Sequence, residues 1–217
     1  MERATLQVAV AEPLTTGERA QLVSRARLLA WLGIGWHVIE AAIAFAAGVA
    51  AGSIALVGFG ADSLAETFAG LIVVWRFADR RTESESAEQR AQRLIGLSFF
   101  LVAAYVAVEA LRTLVAADHP NASWVGIGLA AVTLVTMPAL ASAKARVGEG
   151  LGSSATKSEG RQNLLCAYLS AGLLVGLSAN ALLSWWWADP ATALLIAGVA
   201  VKEGREAWRG EACCDLC

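Results

Sequence analysis

Two carboxylates, Asp62 and Glu66, stand four residues apart in an otherwise apolar stretch. On a helix that spacing sets them on one face, about one turn apart. Like charges so close repel each other. The pair makes sense if a cation bridges it or if one acid holds a proton, and both states suit an ion carrier. His37 and Glu40, three apart, are residue types that bind borderline metals such as zinc. Glu40 is expected as a ligand or proton carrier, and His37, beside Trp36, as a packed polar residue. Further along, Glu159, Asn163, Cys166 and Ser170 follow one another at helical steps and form one polar stripe. Cys166 can offer a thiolate to zinc, cadmium or cobalt, or pack as a small hydrophobe. Glu109 and Arg112, three apart, read as an intrahelical ion pair, and Asn180 as a hydrogen bonder between helices. The last residues, Glu211 to Cys217, hold Cys213, Cys214 and Cys217. Their reading is open between soft-metal capture and a tail whose thiols are incidental or palmitoylated.

The elements that must position these residues follow from composition. Of the 217 residues 57% are hydrophobic and 17% charged, and mean hydropathy is +0.55. A soluble domain is about 45–50% apolar and about 25% charged, so this chain has too little polar surface to cover a globule in water. Disorder is excluded by the same hydrophobicity. A net charge of −2 offers no basic field for nucleic acid. Four cysteines placed this way make no disulfide framework and suit a reducing compartment. The first 27 residues are polar and lack the early apolar run of a cleavable signal peptide.

A membrane-spanning helix takes roughly 17–25 apolar residues. Six such stretches are expected: Leu28 to Gly48, Ser53 to Phe77, Leu94 to Ala117, Trp124 to Ala143, Leu164 to Trp186, and Pro190 to about Lys202. All 17 Lys and Arg residues except Arg112 fall in the two tails, the second and fourth connections, or at their edges. By the positive-inside rule both termini are then cytoplasmic. Trp124 and Trp185-Trp186-Trp187 fall at the opposite span ends, where an aromatic belt belongs. Gly172 and Gly176 have the small-xxx-small spacing that lets helices approach closely. The fold class is an all-α integral membrane bundle, multi-pass. Its expected parts are a tail over 1–27, a transport domain over 28–204 and a Cys-containing tail over 205–217.

Gly52-Ser53-Ile54-Ala55-Leu56 followed by Asp62-Ser63-Leu64-Ala65-Glu66 resembles the second helix of the cation diffusion facilitators. The Trp185–Pro190 and Lys202-Glu203-Gly204 segments look like a small prokaryotic branch related to the transmembrane 163 proteins. The resemblance implies a six-helix metal/proton antiporter, a homodimer with cytoplasmic termini, in a bacterial inner membrane. It also implies that Asp62 and Glu66 are metal ligands, joined by a helix-five pair four residues apart. An ungapped placement puts that pair on Asn163 and Ala167. Ala167 cannot bind a metal, so Cys166 and Glu159 are the nearest replacements. No large cytoplasmic domain follows span six, so dimerisation would rest on the membrane helices.

The expected activity is transport rather than catalysis. It is efflux of a divalent cation, zinc first, with cadmium, cobalt, manganese or iron as alternatives, in exchange for protons by alternating access. The competing classes are a membrane metal sensor or scaffold with the same fold, and an ion channel.

Overall fold

The computed structural model describes residues 15–77 and 85–209. Cys213, Cys214 and Cys217 lie outside these residues. Within them the chain is helical, with six elements: α1 (Thr16–Ala51), α2 (Ile54–Arg76), α3 (Glu85–Ala116), α4 (Trp124–Leu151), α5 (Ser154–Leu183) and α6 (Ala188–Arg209). The first five are long and apolar enough to cross a membrane. The last turns of α6 are charged, with Lys202, Glu203, Arg205, Glu206 and Arg209, and it packs along α3.

The helices α1 with α2 and α4 with α5 form antiparallel hairpins, and α3 packs against α6. The interior keeps an apolar core around Leu56, Phe59, Val106, Leu173, Leu177 and Ile196, but the outer face is apolar as well and polar groups are buried within. Large apolar side chains such as Trp31, Ile39, Leu101, Val135 and Leu182 face outward, whereas His37, Glu40, Asp62, Glu66, Lys144, Glu159, Gln162, Asn163 and Glu203 are buried. Outward apolar and inward polar is the arrangement a lipid solvent demands. Glu109 and Arg112 form the expected ion pair at 2.6 Å on an exposed face.

The first turn of α1 is closed by a capping box. The Thr15 hydroxyl accepts from the Glu18 N–H, while the Glu18 carboxylate accepts from the Thr15 N–H and hydroxyl. These donors, the Thr15 N–H foremost, hold the Glu18 carboxyl below its usual range. The α1–α2 reversal takes two residues. Gly52 caps α1 with φ of 65° and Ser53 caps α2, its hydroxyl accepting from the Leu56 N–H at 3.1 Å. Only glycine adopts a left-handed φ freely, so a side chain there would be strained.

One hundred positions later the same signals recur. Gly152 caps α4 with φ of 63°, and Ser153 caps α5 by accepting from the Thr156 N–H. The Ser53 N–H donates to the Gly48 carbonyl at 2.9 Å and the Ser153 N–H to the Gly148 carbonyl at 3.0 Å. The two turns point to opposite ends of the bundle, so the hairpins are an inverted pair, a relation recurrent among transporters.

This second turn corrects the expected boundaries. Helix five begins at Ser154, not Leu164, and the fourth connection is a two-residue turn. Lys144, Thr156, Ser158, Glu159, Gln162 and Asn163 of this stretch are helical and buried, so part of its low hydropathy comes from interior positions and not from a loop. Likewise α1 begins at Thr16 and α6 runs to Arg209, beyond both expected limits.

The α3–α6 pair depends on missing side chains. A Cβ built on Gly96 of α3 would lie 2.9 Å from the Gly204 carbonyl oxygen of α6. Two glycines therefore bring the backbones of α3 and α6 into direct contact. The expected close approach at Gly176 is also present, against Thr192 and the Ala188 carbonyl.

Candidate metal centre

Asp62 and Glu66 share the inner face of α2, and both are buried. Opposite them on α5 stands Cys166, also buried and lining the same cavity. One potential ligand atom from each of Asp62, Glu66 and Cys166 lies within 4.8 Å of the others. Two carboxylates and a thiol so placed could close around a borderline divalent ion.

The small cavity at this point holds about one water-sized guest. Its lining includes Asp62, Glu66, Gln162, Cys166 and Glu203. Gln162 and Cys166 are four residues apart, so the face of α5 turned to Asp62 and Glu66 carries a second i, i+4 pair. The structure puts Gln162 and Cys166 on this cavity, one residue before Asn163 and Ala167 of the ungapped placement. Both polar atoms of the buried Gln162 amide are without a hydrogen-bond partner, as a group that receives an external guest would be.

A second triad shares Glu66 and extends toward α1. His37, Glu40 and Glu66 also bring ligand atoms within 4.8 Å of one another. His37 Nδ1 is 3.1 Å from Glu40 Oε2 and 3.1 Å from Glu66 Oε2. Its bond is to Glu40, and Glu66 Oε2 is close without hydrogen-bond alignment. The Asn163 amide and His37 Nε2 form a hydrogen bond of 2.8 Å.

Glu40 is the best-satisfied carboxylate of the group. It accepts from the Ser63 hydroxyl at 3.0 Å, from Trp36 Nε1 at 3.4 Å and from the Thr133 hydroxyl, besides His37. Ser63 and Thr133 had no signal in the sequence, because a hydroxyl in a helix usually bonds its own backbone. His37, expected only to pack, lies at the hub of the network. Asn163, expected as a ligand, bonds His37 instead.

Glu159 is not brought to this cluster. It lies one to two turns away, where the Lys144 ammonium of α4 donates to it at 2.5 Å, both groups buried. Its expected role as a replacement ligand gives way to a buried ion pair, since an unpaired charge there would be costly. Lys144 lies one residue past the expected end of span four, where nothing in the sequence marks a buried partner. Asn180 does bond away from its own helix, donating to the Pro120 carbonyl at 2.9 Å.

The family model described as the cation efflux transmembrane domain matches residues 30–209. Among curated proteins none matches the chain.

Proposed function

The chain belongs to the cation efflux family, a family of membrane transporters of divalent metal ions, and from that premise we propose that Asp62, Glu66 and Cys166 hold the transported ion. The observation that carries the assignment is that these three side chains, from α2 and α5, are buried with ligand atoms within 4.8 Å of one another. The Gln162 carbonyl oxygen serves as the fourth ligand, and four ligands of mixed oxygen and sulfur suit zinc, with cadmium and cobalt next.

Coupling to protons follows from the same donors. A carboxylate lone pair takes either a metal or a proton, and thiolate ligation releases one. Metal entering from the cytoplasmic side displaces protons; rocking of the inverted hairpins exposes the site outward; external protons then displace the metal. His37, Glu40 and Asn163 hold the far side of Glu66 during this exchange. A homodimer with cytoplasmic termini, joined through membrane helices, completes the reading.

Proteoliposomes loaded with a pH-sensitive dye test it. Zinc entry accompanied by opposite proton movement is expected. Passive current without proton exchange would make the protein a channel, and zinc binding without flux would make it a sensor or scaffold.

A further inference from the structure

The metal triads draw on α1, α2 and α5, yet the cavity beside them has a wall from α6. That wall holds Glu203, which is 6% exposed and whose Oε1 has no hydrogen-bond partner. A buried carboxylate oxygen without a donor is costly and rare. Glu203 is not within ligand distance of the Asp62–Glu66–Cys166 triad. It nevertheless lines the same cavity, with the unpartnered Gln162 amide across from it. One turn further along α6, Glu206 is already taken by Arg161 and Lys202. Among these α6 acids, then, Glu203 is the buried one that retains an open oxygen.

We infer that Glu203, sharing the Gln162 carbonyl with the transport triad, forms a second divalent-cation position on the α6 side of that triad, the two positions being filled in turn and not together. This rests on the proposed transport reading and adds a loading step to it. The ligands here are oxygens alone, and the cavity admits about one water-sized guest. A cation can stop there before Cys166 supplies sulfur at the next position. The position lies toward the end of the bundle that carries both chain termini, because Glu203 precedes the last turns of α6. Loading is therefore from that end.

A loading ligand and a structural acid differ in what they change. Removing a loading position lowers capture of dilute metal but leaves the filled triad to turn over normally. In proteoliposomes, Glu203→Gln should raise the zinc concentration for half-maximal flux about tenfold, with the maximal rate within about twofold of the parent. Glu203→Asp, which keeps the charge, should restore at least half of that loss. Asp62→Asn is measured beside them. If Asp62→Asn is inactive while Glu203→Gln keeps the parental half-saturation, the α6 position is refuted and the transport triad stands. A fall in maximal rate at unchanged half-saturation, or an equal loss in Glu203→Asp, also refutes it. Full activity in Asp62→Asn would instead overturn the transport reading on which it rests.

Discussion

The α1–α2 and α4–α5 hairpins share one backbone plan and carry opposite chemistry. Both turn on a left-handed glycine followed by a capping serine, Gly52-Ser53 and Gly152-Ser153. Both bury the corresponding inner positions of their second helices. At those positions α2 presents Asp62, Ser63 and Glu66, whereas α5 presents Gln162, Asn163 and Cys166. One hairpin supplies the carboxylates, and the other supplies amides and a thiol. The lesson is that the repeat fixes where a ligand can stand, while the side chain fixes what it does there. Asymmetry of charge also lowers repulsion, since two carboxylates on each hairpin would crowd four negative charges into one dry cavity.

The largest expected effect comes from neutralising the charged hairpin. Glu66→Gln should cut zinc flux at least a hundredfold, because Glu66 belongs to both triads. Cys166→Ala, the corresponding change on α5, should cost only about five- to tenfold and shift preference from cadmium toward manganese, since it removes the soft ligand. Flux assays with the three metals in parallel check both statements. Equal losses from the two substitutions would mean that the hairpins contribute alike and that the chemical division is wrong.

Next in size is an effect confined to the α4–α5 hairpin. Lys144 and Glu159 are a buried ion pair, and the corresponding positions of the first hairpin are Ala44 and Phe59, both apolar and buried. Lys144→Met leaves the Glu159 charge alone in the interior, at a cost of about 3–5 kcal/mol. The double replacement Lys144→Met with Glu159→Leu should recover most of that loss. Thermal unfolding in detergent measures it, and a double variant no more stable than the single one would remove the pairing argument.

How much of this could be read from the chain depends on where the polar residues sit. Asp62 and Glu66 stood out because carboxylates within an apolar run are costly, and the six-helix count followed from alternating charge. The α4–α5 turn did not stand out, because Lys144, Lys157, Glu159 and Arg161 depress local hydropathy although Lys144 and Glu159 are buried. Hydropathy measures side-chain polarity and cannot tell a wet loop from a paired charge. His37 was undervalued for a related reason. Its importance comes from Asn163 and Glu66 on other helices, and no spacing within α1 reveals them. Gln162 lines the cavity one residue before Asn163 of the ungapped placement.

A smaller contrast lies in the two capping serines. Among the described residues, Ser153 accepts from Thr156 alone, through its N–H and its hydroxyl. Ser53 caps Leu56 and also donates to the buried Asp189, whose other oxygen accepts from the Ala55 N–H. Ser53 thereby ties α6 to the first hairpin. Loss of a cap costs about 1 kcal/mol, and stranding a buried acceptor adds about 1–3 kcal/mol. Ser53→Ala should therefore lower the melting temperature clearly more than Ser153→Ala, and equal shifts would deny Asp189 its structural role.

The smallest effect tests whether the two turns are equivalent. Gly52 and Gly152 have φ of 65° and 63°, and a Cβ on either would meet nothing within 4 Å. Space is therefore not at issue, and only the backbone conformation resists a side chain. For an L-residue that costs about 1–2 kcal/mol. Gly52→Ala and Gly152→Ala should destabilise equally, to within about 0.5 kcal/mol, with zinc half-saturation unchanged in both because neither position approaches the ligands. The turns face opposite membrane surfaces, so matched losses would show that the cap acts through local backbone geometry alone. A loss at one glycine more than twice that at the other would mean that the surrounding surface, and not the shared turn, sets its stability.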